Sequence, residues 1–339
     1  MGVIIINELE ELKESEIILV IPPELDAILC AMPSCVLLID DTHHILYANS
    51  AIISKFELDP RQIIGGYCPL IIHGKNEPID ECPLEKSVET NENVECEIFD
   101  EINQIWVSSA IYPTSLITTK GSKVYLHMVH DITKRKFAEQ DLKNSLKSLQ
   151  DLTDAGIKAI TLIVEKRDPY TAGHQQRVSS LAYAIASEMG YEGAFLEGIR
   201  VVGLLHDVGK IGVPIEILSK PGRISEDEFR MIKTHPMVGH EILKGIEFSR
   251  PIADIILQHH EKLDGSGYPN GLKGNEISIE ARIISVADVV EAMSSHRPYR
   301  PALGIENALS EILNNKGILY DDIVVDTCVK LFKEKKFEF

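Results

Sequence analysis

The chain has 339 residues, 44% hydrophobic and 25% charged, which is ordinary globular composition with room for roughly two domains. Intrinsic disorder, a collagen and a disulfide-stapled miniprotein are therefore excluded. A formal charge of −18, from 34 Lys+Arg against 52 Asp+Glu, repels polyanions and argues against a polynucleotide partner. A small anion can still bind where the local charge reverses.

Six cysteines (Cys30, Cys35, Cys68, Cys82, Cys96, Cys328) are spread thinly over the chain, and no signal peptide is recognisable, which reads as reduced cytoplasmic thiols. The longest apolar runs, Gly2–Ile6 and Ile17–Ile21, fall far short of the roughly 18–20 residues of a membrane span. No membrane insertion is expected.

Residues 1–24 form an N-terminal extension, with Leu9 and Leu12 among charged neighbours and a stop at Pro22-Pro23. From 25 to 132 the pattern turns to short strand-like runs at Cys35–Asp40, His44–Asn49, Glu95–Phe99, Trp106–Tyr112 and Val124–His130. Helical and turn-rich sequence separates the second run from the third. Two strands, a helical middle and three further strands make an α+β unit. Within it Cys68, His73 and Cys82 are spaced Cys-x4-His-x8-Cys, donors that can bind a metal or respond to oxidation, although the spacing is no known zinc pattern. His127 and His130 on the last strand can face a cofactor, or simply water.

The order of these elements resembles a PAS domain. Met32-Pro33, the hairpin from Leu38-Ile39-Asp40 to Tyr47-Ala-Asn49 and the closing Asp131-Ile132-Thr133 carry the resemblance. At that last triplet Asp and Thr side chains are expected to bond backbone groups where an outgoing helix begins.

Residues 133–153 read as that helix. Spacings of four and three among Leu142, Leu146 and Leu149, flanked by Phe137 and Leu152, match a short coiled-coil seam, so a parallel homodimer is expected. The alternative is an amphipathic helix packed on its own domain. Residues 154–339 are nearly all helical, punctuated by Pro214, Pro221-Gly222, Pro236, Gly265-Ser-Gly267, Pro269 and Pro298. The predicted fold class is therefore multidomain: an N-terminal α+β PAS-like domain, a connecting coiled-coil helix and a C-terminal all-α domain.

The helical part holds the chemistry. His174, His206-Asp207, His235, His259-His260 and Asp288 offer imidazole and carboxylate donors suited to divalent transition metals. Seven donors are too many for one tetrahedral ion and enough for two, and a carboxylate can bridge ions about 3.5–4 Å apart. Asp207 and Asp288 lie in apolar runs, Val201–Gly209 and Ile283–Val290, where an unpaired charge is costly. On a continuing helix Lys210 shares the face of His206 and Asp207 and can reach a bound phosphate.

His174, His206-Asp207 with Lys210, His235, His259-His260-Glu261 with Asp264–Pro269, and Asp288 resemble, in order and spacing, the HD-GYP subgroup of the HD metal-dependent phosphohydrolases. Tyr170–His174, His206–Pro214, Gly267-Tyr268-Pro269 and Arg297–Ala302 also match. The resemblance implies an HD-type fold and hydrolysis of cyclic di-GMP. It further implies that His174, His206 and Asp288 hold one ion, that Asp207 bridges, and that His235, His259 and His260 hold the second. Lys210 would stabilise charge on the attacked phosphate. Arg297 and Arg300 can bind phosphate or stack on guanine, or else sit in surface salt bridges. The Gly267-Tyr268-Pro269 loop would contact substrate or a protein partner, or merely connect helices. Some members with three metals carry a Glu four residues before the first His. Here that position is Tyr170, so two ions are expected, with Fe, Mn or another divalent metal open. The competing readings are an HD hydrolase of another nucleotide and a receptor that binds cyclic di-GMP without turning it over.

Overall fold

A computed structural model of the chain describes residues 21–55, 59–80, 82–101, 103–167, 173–220, 222–295 and 303–339. The Leu9/Leu12 stretch, Tyr170, Arg297 and Arg300 lie outside them. The chain divides into two compact units between Lys147 and Ser148.

The first unit runs α1 (Pro23–Ala31), β1 (Cys35–Asp40), β2 (Ile45–Ala48), α2 (Ser50–Lys55), α3 (Pro60–Ile63), α4 (Cys68–His73), α5 (Pro83–Thr90), β3 (Val94–Asp100), β4 (Ile105–Ile117) and β5 (Lys123–Asp131). The strands pair antiparallel in the order β2-β1-β5-β4-β3. Strand β1, flanked by β2 and β5, is buried on both faces and therefore reads as an unbroken apolar run. Leu37 and Ile39 pack with Ile52, Ile63 and Leu84 from the helical middle, while Leu38 packs with Tyr47, Val124 and Leu29 of α1. Buried Asn49 ties α1 to the hairpin, since its Nδ2 donates to the carbonyls of Leu29 and Ser34, both at 2.9 Å, and its Oδ1 accepts from Val36 N at 3.0 Å.

The boundary after β5 is built as its sequence suggests. Asp131 Oδ1 accepts from Thr133 N at 2.9 Å, Asp131 Oδ2 takes Lys55 Nζ at 2.6 Å, and Thr133 Oγ1 accepts from Trp106 N at 2.9 Å. Burial alone would raise the Asp131 carboxyl, but Lys55 and Thr133 outweigh it and bring it down to about 2 from 3.8. A carboxyl depressed in the folded state stabilises above its unfolded pKa and loses that contribution as pH falls through the folded one. Asp131→Ala is thus expected to cost about 1 kcal/mol in urea unfolding at neutral pH. The gap should narrow as pH drops from 3.8 toward 2, and a gap that stays constant over that range would contradict this account.

α6 (Thr133–Arg167) is one uninterrupted helix of 35 residues, longer than the 133–153 linker expected. Phe137, Leu142, Leu146, Leu149 and Leu152 are exposed along it, whereas Ile157, Thr161 and Val164 are buried. The second unit continues with α7 (His174–Glu188), α8 (Ala194–Leu205), a 3-10 turn (Val208–Gly212), α9 (Ile215–Leu218), α10 (Glu226–Ile232), α11 (His235–Leu243), α12 (Ile252–Gln258), α13 (Ile279–Ser294), α14 (Ile305–Asn314) and α15 (Asp322–Lys333). Ile157, Val178, Leu181, Val202, Leu205, Ile256, Ile284 and Val324 belong to its main core, and Val213, Ile217 and Leu218 form a small second cluster. α7 and α8 touch backbone to backbone: a Cβ on Gly203 would lie 2.4 Å from Ser179 Cα. Among the described residues no helix is long and apolar enough to cross a membrane.

Candidate metal centre

Four of the seven predicted donors sit at helix ends, and this position orients them. His206 directly follows α8 and His259 directly follows α12, while His174 and His235 open α7 and α11. The last carbonyls of a helix lack an intrahelical partner. Nδ1 of His206 lies 2.9 Å from Gly203 O, Nδ1 of His235 lies 2.8 Å from Ile232 O, and Nδ1 of His259 lies 2.5 Å from Ile256 O. A carbonyl only accepts, so each Nδ1 carries the proton and each Nε2 presents its lone pair inward. Outer partners of metal-ligating histidines work in this way.

All seven donors come together. His174, His206 and Asp207 place one ligand atom each within 4.8 Å of one another, and His235, His259 and His260 do the same. Asp207 faces both groups. Its Oδ2 lies 3.7 Å from His174 Nε2 and 3.4 Å from His206 Nε2, and its Oδ1 lies 3.5 Å from His235 Nε2. Asp288, on α13, approaches the first group, with Oδ1 at 3.3 Å from His174 Nε2 and 4.0 Å from His206 Nε2. His260 packs its ring 4.1 Å from that of His259 and 4.8 Å from that of Tyr268.

The electrostatics match a site made for cations. Burial would raise Asp207 and Asp288, yet Lys210 and His206 hold the first well below the carboxylate range, and His174 holds the second there. Burial pushes His235 down to about 4 and His259 to about 3, leaving neutral rings. His206 Nε2 is buried without a hydrogen-bond partner. An orphaned ring nitrogen beside two carboxylates is an expensive arrangement unless a cation takes its lone pair, so the donor set fits divalent metal.

Lys210 reaches Asp207 Oδ2 at 2.7 Å, but by a different route from the one expected. The α8 helix does not continue through it. The chain tightens into the 3-10 turn after Asp207, with Lys210 N donating to Asp207 O at 2.9 Å, and residues three apart eclipse in that geometry.

The loop after the histidine pair is fastened to it. Glu261, buried, accepts from Asn270 N at 2.7 Å and from Leu272 N at 3.0 Å. Gly267 presses so close that a Cβ there would stand 2.4 Å from Glu261 Cα and 2.6 Å from His260 O. Tyr268 is thereby set against His260, with Lys233 Nζ 5.1 Å from its ring centre.

Sequence reasoning missed Glu291. It is buried three residues after Asp288 on α13, holds His174 Nδ1 through one carboxylate oxygen, and accepts from Arg177 Nε at 2.7 Å and Ser295 Oγ at 2.6 Å through the other. A second acid on the ligand face of an apolar helix was the available signal. Glu291→Gln is expected to weaken metal binding about 10- to 100-fold while the fold persists. Titration of chelator-stripped protein followed by metal analysis would read this, and wild-type affinity would refute the orienting role.

The family model described as HD domain matches residues 158–324, and that described as PAS domain matches residues 33–153. Among curated relatives, the cyclic di-GMP phosphodiesterase response regulator RpfG of Xanthomonas campestris pv. campestris (strain 8004) is 38% identical over 194 residues, which cover 57% of this chain and 51% of that protein. A cyclic di-GMP phosphodiesterase of Thermotoga maritima is 43% identical over 182 residues, 52% of this chain and 49% of that protein. The 3'3'-cGAMP-specific phosphodiesterase 3 of Vibrio cholerae is 42% identical over 159 residues, 47% of this chain and 35% of that protein. The chain thus spans about half the length, or less, of these relatives. With both domain matches, the seven gathered donors and the fastened Gly-Tyr-Pro loop in place, the chain carries a PAS domain followed by an HD domain and matches a PAS-plus-HD-GYP architecture.

Proposed function

We propose that this chain is a metal-dependent phosphodiesterase that hydrolyses cyclic di-GMP to the linear dinucleotide or GMP under control of its PAS domain. The observation that carries the reading is Asp207, whose two oxygens face two separate histidine groups. His174, His206 and Asp288 would hold one ion, His235, His259 and His260 the other, and Asp207 both. When bound, such ions neutralise the phosphodiester oxygens and activate water near neutral pH.

The chain's own residues do the rest. Lys210, a half-buried cation beside Asp207, is placed to stabilise charge developing on the phosphate. Lys210 beside Asp207 and Lys233 over the Tyr268 ring offer positive charge at this mouth to a doubly anionic ligand. Gly267 and Pro269 hold Tyr268 beside His260, where its half-buried ring offers a contact for substrate or for a protein partner. Arg297 and Arg300 are assigned to the substrate phosphates or guanines.

Two relatives are named for cyclic di-GMP and one for 3'3'-cGAMP, so a second reading is hydrolysis of another cyclic dinucleotide. Metal-loaded protein incubated with each nucleotide, followed by chromatography for linear dinucleotide and mononucleotide, separates these readings. Turnover of cyclic di-GMP alone supports the first, and binding without turnover would make the chain a receptor. Metal analysis after anaerobic purification is expected to give two ions per HD unit, and three would overturn the reading of Tyr170. We assign the exposed seam of Phe137, Leu142, Leu146, Leu149 and Leu152 to a parallel homodimer. Sedimentation of the Leu146→Glu chain as a monomer would support that assignment.

A further inference from the structure

Two inward-turned polar groups stand outside the chemistry above. His127, expected to face a cofactor or water, is instead buried on the core face of β5, with Ser109 Oγ 2.7 Å from its Nε2. It lines a cavity of about 30 Å³ with Cys68, His73 and Cys82, but among the described residues no three of these donors come within 4.8 Å of one another. Lys262 is the other group, and it stands between the two halves of the metal centre.

Lys262 follows His259, His260 and Glu261 in the chain and is half-buried. Its Nζ donates to Ser285 Oγ at 3.0 Å and lies 4.4 Å from the centre of the Tyr320 ring. Ser285 and Tyr320 are each only 5% exposed. Among the described residues no carboxylate pairs with this ammonium. It exchanges much of its water for one hydroxyl and one ring face, and the long stem gives up its rotamer freedom at the same time. Packing alone gives no reason for a charge at this position.

Ser285 supplies the reason. On α13 it lies three residues before Asp288, which lies three before Glu291, and residues three apart share a helix face. This polar stripe is held at both ends. Glu291 holds His174 of the first donor group, and Ser285 is held by the lysine beside the histidine pair of the second. Asp288 lies between the two grips, with Oδ1 at 3.3 Å from His174 Nε2. The Lys262–Ser285 bond thus joins the segment that carries His259 and His260 to the helix that carries Asp288.

We propose that Lys262 is a positioning residue, a strut that fixes the two donor groups relative to one another by tying the histidine pair to the ligand face of α13. The inference rests on the dinuclear reading above. The strut acts through Ser285 and needs no contact with substrate.

The test uses the full chain, stripped by chelator and titrated with Mn2+. Two manganese ions that share a carboxylate couple magnetically, so electron paramagnetic resonance reports the pair whether or not any nucleotide is hydrolysed. Lys262→Met keeps the apolar stem and removes the donor. It is expected to bind the second equivalent of Mn2+ at least about 10-fold more weakly and to lose the coupled-pair signal when one further equivalent is supplied. Ser285→Ala leaves the charge in place, is mild within a helix, and should reproduce both effects. The double variant should be no worse than either single one, because each removes the same bond. Lys316→Met, which breaks an exposed pair with Asp326, should alter neither readout. If Lys262→Met fails to fold, Ser285→Ala decides by itself: loss of the pair signal supports the strut and a wild-type signal overturns it. Wild-type manganese binding in both variants, or a loss in Lys262→Met that Ser285→Ala does not share, would also overturn it. A wild-type chain that takes a single ion would refute the dinuclear centre and the strut together, whereas two coupled ions without hydrolysis would refute the phosphodiesterase reading alone.

Discussion

Asp207→Asn is expected to abolish hydrolysis, lowering turnover by about 1,000-fold or more while the HD unit stays folded. The carboxylate places one oxygen 3.4 Å from His206 Nε2 and the other 3.5 Å from His235 Nε2. An amide keeps the shape, but it replaces one acceptor oxygen with an NH2 group and removes the negative charge. The amide nitrogen then points at a ring nitrogen whose own proton is already committed on the Nδ1 side. Lys210 also loses the partner it holds at 2.7 Å. Turnover and metal content measured on the same preparation separate the outcomes. A chain that kept both ions and a tenth of wild-type activity would show that Asp207 does not join the two histidine groups.

Gly209→Ala is expected to cost about 3 kcal/mol in stability and to open the second histidine group. A methyl at this position would lie 1.9 Å from His235 O and 2.5 Å from Gly239 N. Both are backbone atoms that cannot swing aside, so the 3-10 turn and α11 would have to separate. His235 rides on that end of α11, with Nε2 3.2 Å from His259 Nε2 and 3.5 Å from Asp207. Urea unfolding and metal stoichiometry should therefore fall together. Gly212 gives the contrast within the same turn. Its added methyl meets only the Val238 side chain at 3.4 Å, ordinary contact, and Gly212→Ala should change stability by no more than about 0.5 kcal/mol. Equal losses at the two glycines would refute the close-approach argument.

The strands and the donor set were legible because each rests on local chemistry. A run such as Cys35–Asp40 has no other use than a strand covered on both sides, and an aspartate in Val201–Gly209 must be compensated. What escaped the sequence depends on distant pairing. Glu291 shares the helix face of Asp288 three residues on, but it acquires its role only when α13 lies beside α7 and brings His174 to it. The 3-10 turn after Asp207 was hidden because Val208–Gly212 carries no proline before Pro214, and its two glycines do not by themselves say that the helix tightens rather than continues. The linker boundary was invisible for the opposite reason: α6 runs through it without a break, and only the change from exposed Leu152 to buried Ile157 marks the passage between surroundings.

The clasp made by Glu261 has a mechanical consequence. Its carboxylate grips the peptide groups of Asn270 and Leu272, and its own backbone adjoins His260, so the Tyr268 loop and the histidine pair form one stiff lever with a very short arm. A molecule that pulls on the tyrosine from outside bears directly on the ring of His260. Force applied at the rim would reach the reaction chamber within a single residue, with no need for a longer relay.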